Sequence, residues 1–126
     1  MQIRIYYEDT DAGGVVYHAN YLKFCERARS QIFFDARMLP TQEGGHFVVS
    51  RIEADFLRPA KLGDLIRVET SLLEMGKVSL RLKQQLLRED ELLFSAIIKL
   101  GFVKDGRLAP IPQEYAQLLR SLKGVI

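Results

Sequence analysis

The stretch LLFSAIIKLGF, residues 92–102, has the longest alternating pattern in this sequence. Every second side chain in it is apolar, and a two-residue period places such side chains on one face of a β-strand. The apolar set is Leu92, Phe94, Ala96, Ile98, Leu100 and Phe102. A long strand with one apolar face predicts a sheet that is packed on one side and solvated on the other.

Three earlier segments repeat this two-residue period: residues 49–56, 66–72 and 78–86. The connections between the segments are short: RPAKLGD (58–64), MGK (75–77) and RED (88–90). Because connections this short join antiparallel neighbours, four long strands are predicted to form one antiparallel sheet. A fifth, short strand is predicted at residues 2–7, which are rich in β-favouring side chains.

A helical period begins at Asn20, a plausible N-cap, and continues to about residue 37. One apolar stripe of this helix contains Tyr21, Cys25, Ala28, Ile32 and Ala36. A shorter amphipathic helix follows Pro112 and carries Tyr115, Leu118, Leu119 and Leu122. The predicted fold is α+β: a curved antiparallel sheet of about five strands wrapped around one central helix, with a C-terminal helix. The 126 residues favour a single domain over 1–126.

Composition excludes several classes of function. Apolar residues make up 48% and charged residues 27%, and a net charge of +2 without a basic block gives no support for nucleic-acid binding. The single cysteine, Cys25, rules out a disulfide within the chain and fits a cytoplasmic location. No apolar run approaches the roughly 20 residues of a spanning helix, so direct membrane insertion is not expected.

Long strands at the edges of a sheet also bear on assembly. An exposed edge presents unpaired main-chain groups and invites pairing with another chain. A symmetric dimer that joins two sheets edge to edge removes this hazard. We therefore expect a homodimer, or a homotetramer built from two dimers.

The segment YYEDTDAGGVVYHANY, residues 6–21, joins the first strand to the central helix and concentrates three acids, two glycines and a histidine. An acid near a helix N-terminus can be ordinary stabilisation. A calcium loop fails, because Gly13 and Asn20 stand where oxygen ligands are required. Neither His18 nor His46 has partners at zinc-ligand spacing, so no metal site is predicted.

Three further features have more than one interpretation: the segment DTD, Cys25 and His46. An Asp-x-Asp nucleophile of a phosphotransferase fits DTD (9–11) locally, although that chemistry normally occupies an alternating α/β sheet. Cys25 lies on the apolar stripe, which favours a buried structural cysteine over a nucleophile. His46 is expected to be structural or exposed.

The stretch YYEDTDAGGVVYHANYLKFCERAR, residues 6–29, resembles the signature of the hotdog-fold 4-hydroxybenzoyl-CoA thioesterase family. It is especially similar to the Tol–Pal-associated acyl-CoA thioesterase branch, called YbgC. The motif D-x-x-G-x-V-[YF]-x-x-N-Y is matched at Asp11, Gly14, Val16, Tyr17, Asn20 and Tyr21. The resemblance implies an enzyme without a cofactor that hydrolyses an acyl-CoA, or an acyl carrier protein thioester, to a free carboxylic acid.

The resemblance also implies roles for individual residues. The catalytic aspartate of the family falls on Asp11, and the main-chain N–H that polarises the thioester carbonyl falls on His18. The His18 side chain and Tyr7 are further catalytic candidates. The substrate-binding candidates are Gly14, Val16, Tyr17 and Asn20. Asp11 either attacks the carbonyl itself or activates water, and both routes stay open.

The other acids and the basic residues are assigned to the loop, the surface and coenzyme A. Glu8 and Asp9 are expected to be surface or loop-stabilising groups. The phosphates of coenzyme A require basic partners, for which Arg58, Lys61, Lys77 and Arg81 are candidates of equal standing. The alternative function is a non-catalytic hotdog protein that binds acyl-CoA or acyl carrier protein, since a fold alone does not establish activity.

Overall fold

The computed structural model describes residues 1–122, so residues 123–126 of the predicted domain lie outside the described part. Seven strands and two helices are present in this part of the chain. In chain order they are β1 (Gln2–Arg4), α1 (Asn20–Asp35), β2 (Thr41–Gln42), β3 (Gly45–Phe56), β4 (Leu65–Met75), β5 (Ser79–Arg88), β6 (Glu91–Lys104), β7 (Arg107–Leu108) and α2 (Gln113–Arg120).

All seven strands form one antiparallel sheet in the order β1-β4-β5-β6-β3-β2, with β7 paired to the end of β6. The four long strands and both predicted helices are confirmed. The first strand is shorter than expected and ends at Arg4, because residues Tyr7–Asp9 form a single 3-10 turn instead. The two shortest strands, β2 and β7, have no alternating pattern long enough to predict them.

Irregular pairing curls the sheet around α1. The register shifts between Val49 and Arg51 in β3, and between Leu72 and Glu74 in β4. Such bulges bend a strand and increase its twist. The concave face that results carries the core, whose largest fully buried side chains include Ile66, Leu80, Leu82, Leu86, Phe94 and Ile98.

Helix α1 packs one face into this concave sheet. Its buried residues are Tyr21, Phe24, Cys25, Ala28 and Phe33, which largely follow the predicted stripe. The opposite face, with Lys23 and Arg27, is exposed. Asn20 is the first helical residue and not the N-cap; that position belongs to Ala19, whose side chain offers no capping hydrogen bond.

Strand β3 has an open edge in the described residues. It pairs with β6 along its whole length, whereas β2 covers its other side only at Gly45 and His46. Three apolar side chains on the concave face of this edge strand remain partly exposed: Val49 at 43%, Ile52 at 38% and Phe56 at 53%. Both the main chain and the apolar side chains of β3 are therefore available for pairing.

Neither α1 nor α2 combines the length and apolarity that a membrane-crossing helix requires.

Candidate active site

Asp9 organises the loop that precedes α1. Its carboxylate accepts the Tyr6 N–H at 2.9 Å, and its main-chain oxygen accepts both the Tyr17 N–H and Asn20 Nδ2 at 3.0 Å. The side chain is largely buried, with 9% exposed. Of the two roles expected for Asp9, the structure supports loop stabilisation, since the residue is not on the surface.

Asp11 sits at the tip of the same loop with an exposed side chain. Its N–H donates to the Val15 oxygen at 2.8 Å, and its Oδ1 accepts the Gly13 N–H at 2.8 Å. Gly14 follows with φ of 81°, a conformation that favours glycine. A side chain at Gly13 would place a Cβ 3.2 Å from Asp11 Oδ1, so the two glycines let the loop close tightly around the carboxylate.

Two contacts fasten this loop to the connection between β3 and β4. The Val16 N–H donates to the Ala60 oxygen at 2.9 Å, and the Ala60 N–H donates to the Tyr21 hydroxyl at 3.0 Å. Val16, Tyr21 and Ala60 are all buried, which keeps competing water away from these bonds. The first turn of α1 and the Asp11 loop are thereby held against the connection between β3 and β4.

The start of α1 offers main-chain donors. Within residues 1–122 the N–H groups of His18 and Ala19 have no hydrogen-bond acceptor, and the Ala19 side chain does not cap the helix. The N-terminus of a helix carries partial positive charge and free N–H groups, which suits an oxyanion or carboxylate. These donors can polarise a carbonyl oxygen placed beside them.

A cavity of about 330 Å³ brings the carboxylate and the helix start together. Its lining residues are Asp11, Val15, Val16, His18, Tyr21, Phe56, Leu57, Arg58 and Pro59. Three of the predicted site residues, Asp11, Val16 and His18, therefore share one cavity. An attacking group and an oxyanion donor on one cavity are the two components that acyl transfer requires.

The other predicted site residues lie outside this lining in the single chain. Tyr7 is 82% exposed, and Gly14 acts through the backbone of the loop. The Tyr17 ring lies 4.6 Å from the His18 ring, between centroids, so it packs against a site residue. Asn20 holds the Asp9 oxygen, which makes it a residue that positions the loop.

Sequence reasoning missed one wall of the cavity. Phe56 and the residues that follow it come from the end of β3, and the Phe56 ring lies 6.3 Å from the His18 ring and 5.6 Å from the Tyr21 ring. The signal in the sequence was an apolar pair, Phe56 and Leu57, placed directly before RPAKLGD. Only the folded sheet brings this pair next to a loop some 40 residues earlier in the chain.

An ionic network braces the same wall. Arg88 contacts Asp64 at 2.7 Å and Glu91 at 2.5 Å, and Arg58 Nε lies 3.2 Å from Glu91. Burial alone would raise the pKa of Asp64, but the Lys61 N–H and the Arg88 guanidinium outweigh it and hold that pKa below its ordinary value. Hydrogen bonding to Arg88 likewise lowers the pKa of Glu91.

The remaining alternatives can be judged from the structure. The sheet is antiparallel throughout, which is not the setting of an Asp-x-Asp phosphotransferase. Residues 1–122 contain no group of three or more His, Cys, Asp or Glu side chains that could hold a metal ion. Cys25 is fully buried, and burial raises its pKa to about 12, which confirms a structural cysteine. His46 is exposed.

A curled antiparallel sheet around one helix is the architecture of the hotdog-fold thioesterases, and in this chain Asp11 and the start of the helix line one cavity. The fold has a TM-score of 0.89 to a hypothetical protein from Aquifex aeolicus, at 24% identity over 94% of this chain and 97% of that one. It has a TM-score of 0.83 to a thioesterase from Thermus thermophilus complexed with coenzyme A and Zn, at 33% identity over 100% of this chain and 94% of that one.

Sequence comparison agrees with the fold. The chain is 44% identical to the acyl-CoA thioesterase YbgC of Helicobacter pylori, and the match covers 97% of this chain and 100% of that protein. The family model of the thioesterase superfamily matches residues 13–95. The chain belongs to the thioesterase superfamily, which confirms the family resemblance read from residues 6–29.

Proposed function

We propose that the protein is an acyl-CoA thioesterase, which hydrolyses the thioester bond of an acyl-CoA to a free carboxylic acid and coenzyme A. The observation that carries this function is the shared cavity of Asp11 and the uncapped start of α1. The thioesterase relatives in sequence and structure support the same reaction.

In the proposed mechanism the thioester carbonyl oxygen accepts the His18 N–H. Polarisation by this donor stabilises the negative charge that develops on the oxygen during attack. Asp11 then acts in one of two ways. Its carboxylate attacks the carbonyl carbon to give a mixed anhydride, which water hydrolyses, or it takes a proton from the water that attacks directly. Either route consumes one water, breaks the C–S bond and leaves a protonated thiol on coenzyme A.

The side chains near these two groups receive supporting roles. The His18 ring lines the cavity and can orient water or tune Asp11. Val16 contributes an apolar wall. Gly14, Tyr17 and Asn20 fix the loop and the His18 ring. Tyr7 is proposed to act on a substrate that extends over the exposed part of its loop, because its hydroxyl is available there.

The open edge of β3 supports a homodimer. Residues 47–56 expose main-chain groups, and an antiparallel edge strand is complementary to its own copy about a two-fold axis. Pairing would bury the concave apolar strip of Val49, Ile52 and Phe56. It would also set the start of one β3 beside the end of the other, so that each site forms between two protomers. Two such dimers would form the homotetramer.

The setting of the reaction is proposed from the composition of the chain and from the family resemblance. A single buried thiol suits the reducing cytoplasm. Acyl carrier protein is the second proposed acyl donor, since its thioester presents the same reacting carbonyl. A connection to the Tol–Pal system is implied by the resemblance alone, and co-purification from cells would test whether it is physical.

The decisive experiment compares Asp11→Asn with Glu8→Gln, a matched change at an exposed carboxylate on the same loop. We expect Asp11→Asn to lower kcat by at least about 100-fold, the usual scale for losing a general base or nucleophile. Glu8→Gln should keep normal turnover. Hydrolysis is followed by loss of the thioester absorbance across a series of acyl-CoA chain lengths.

Three outcomes would count against the proposal. Near-normal turnover of Asp11→Asn on the best substrate would remove Asp11 from the mechanism. Binding of acyl-CoA without hydrolysis at any chain length would favour the non-catalytic alternative. The third outcome concerns Asp11→Ala, which replaces Asp11→Asn if circular dichroism shows that variant to be unfolded. Normal turnover of folded Asp11→Ala would also remove Asp11 from the mechanism.

A further inference from the structure

A second cavity, of about 360 Å³, lies beneath the middle of α1. Its apolar lining comes from α1, β3, β5, β6 and α2 and consists of Ile32, Phe33, Phe47, Val49, Leu82, Leu100 and Leu119, joined by Pro40. Polar side chains complete the wall: Glu26, Arg29, Ser30, Thr41 and His46. Arg29 is a half-buried cation beside a largely apolar wall, and such a charge calls for a partner.

Arg29 is anchored on one side only. Its Nη1 donates to Gln84 Oε1 at 2.9 Å, and the fully buried Gln84 donates Nε2 to the Cys25 oxygen and to Thr70 Oγ1, each at 3.0 Å. Gln84 therefore holds the guanidinium at a fixed place in the cavity wall. The amide is neutral, so it leaves the charge of Arg29 uncompensated.

No carboxylate is paired with Arg29 in the described part of the chain, where none of the ion pairs includes it. Glu26 also lines the cavity and attracts Arg29, but its carboxylate is exposed and accepts the Ser30 hydroxyl at 2.6 Å. Arg29 is half-buried, and the resulting desolvation lowers its pKa. Several N–H groups of the guanidinium are thus available to a ligand.

The cavity and the Asp11 site are lined by different parts of the same two elements, α1 and β3. Tyr21 and Phe56 line the Asp11 site, whereas Arg29 and Val49 line the cavity. The rise of a helix puts Arg29 about 14 Å along α1 from Asn20. In the proposed dimer, antiparallel pairing of β3 with its copy would bring the Arg29 cavity of one protomer next to the Asp11 site of the other.

We propose that Arg29 is a specificity-determining residue, which selects acyl groups that carry an oxygen acceptor at the end remote from the thioester. This inference rests on the proposed thioesterase function. The apolar wall receives the methylene chain, while the planar guanidinium donates to the terminal oxygen. A carboxylate fits best, because it can accept two parallel N–H bonds from one guanidinium.

The test compares thioesters of equal carbon number. Hexanoyl-, octanoyl- and decanoyl-CoA are each paired with the ω-carboxy and the ω-hydroxy acyl-CoA of the same length. The measured quantity is the ratio of kcat/KM for the polar-ended substrate to kcat/KM for the alkyl substrate. The variant is Arg29→Met, which keeps an apolar stem, and the matched control is Arg27→Met on the exposed face of α1.

We expect Arg29→Met to lower the best ω-carboxy ratio by about tenfold or more, since a charge-assisted hydrogen bond is lost from a partly desolvated site. Arg27→Met should leave every ratio unchanged. Arg29→Lys keeps the charge but loses the two parallel N–H donors of the guanidinium, so it should give an intermediate ratio. The same variant replaces Arg29→Met if that protein fails to fold. A larger effect on the ω-hydroxy substrates would identify a neutral acceptor as the preferred end group.

The outcomes separate this inference from the proposed function. If alkyl acyl-CoA is hydrolysed and Arg29→Met leaves the ratios of kcat/KM unchanged, the specificity role of Arg29 is overturned while the thioesterase function stands. An equal loss on all substrates assigns Arg29 a purely structural role and also overturns it. The specificity role is also overturned if the wild-type protein hydrolyses alkyl substrates but no polar-ended substrate. If the wild type hydrolyses none of the thioesters, the thioesterase function itself fails.

Discussion

Two acids that are two positions apart in the sequence have opposite environments in the fold. Asp9 turns inward and accepts a main-chain N–H, whereas Asp11 stays exposed in the cavity beside the start of α1. Their residue type and spacing predict neither role, since both are acids close to a helix N-terminus. Only the family resemblance singled out Asp11, and the hydrogen bonds of the loop explain why Asp9 is the structural one.

Glycine at position 14 allows a prediction at the residue scale. Gly14 and Gly106 both have positive φ, at 81° and 77°, and at neither would an added Cβ meet a heavy atom within 4 Å. Replacing either by alanine should therefore cost a similar backbone strain, about 1 kcal/mol of unfolding free energy. We expect only Gly14→Ala to lower kcat, because only Gly14 shapes the Asp11 loop.

Urea unfolding and steady-state kinetics of the two variants check this expectation. Gly106 lies in the hairpin between β6 and β7, remote in sequence from the Asp11 loop, so Gly106→Ala reports the strain alone. Equal kcat values for the two variants would show that the geometry of the Asp11 loop does not limit turnover.

At the scale of elements, the connection between β3 and β4 is held by charge as well as by main-chain bonds. Asp64 accepts the Lys61 N–H at 2.8 Å and contacts Arg88 at 2.7 Å, while Arg88 also donates to the Pro59 oxygen at 3.3 Å. This connection supplies Arg58 and Pro59 to the cavity with Asp11. The connection between β3 and β4 is therefore both a surface turn and part of the candidate site.

The lowered pKa of Asp64 predicts how this bracing depends on pH. A carboxylate whose pKa is lower in the folded state stabilises the fold above its unfolded pKa, ordinarily 3.8, and loses that contribution as pH falls through the folded value. The difference in unfolding free energy between the wild type and Asp64→Asn should thus be largest near neutral pH, shrink below pH 3.8 and disappear once the pH falls below the lowered pKa of the folded state. Chemical denaturation across this range measures the difference, and a difference that stays constant with pH would show that it does not arise from the charge of Asp64.

Element types were easier to predict than element boundaries. Long alternations such as residues 92–102 identified the strands, since burial of one face requires that period. The boundary errors fall where side chains compete with regular structure: the Asp9 carboxylate takes the Tyr6 N–H and shortens the first strand, and the Asn20 amide takes the Asp9 oxygen instead of capping α1. Such long-range and loop contacts leave no periodic signal.

On the scale of the whole molecule, the single chain leaves an apolar strip partly exposed along the edge strand β3. Val49, Ile52 and Phe56 extend the apolar concave face onto this edge strand, where they remain partly exposed. The sequence indicated a sheet with edges but could not indicate which strand is open, because that depends on the order of the strands. The proposed dimer interface would cover this apolar strip.

Assembly is tested by a charge in this strip. Ile52→Lys should convert the proposed dimer to monomers, because pairing would bury an unpaired ammonium. Val48→Lys is the matched control on the opposite face of the same strand, where Val48 is 37% exposed. Sedimentation velocity gives the assembly state, and activity should fall together with the dimer. A fully dimeric Ile52→Lys protein would place the interface elsewhere.

Burial of Cys25 has a practical consequence for measuring this chemistry. It is the only cysteine in the chain, and a fully buried thiol with a pKa of about 12 has almost no thiolate at neutral pH. A colorimetric reagent that reacts with thiolates would therefore detect released coenzyme A without a background from the folded protein. Once the chain unfolds, the same reagent would label Cys25, so one optical signal can report turnover in native conditions and loss of structure in denaturant.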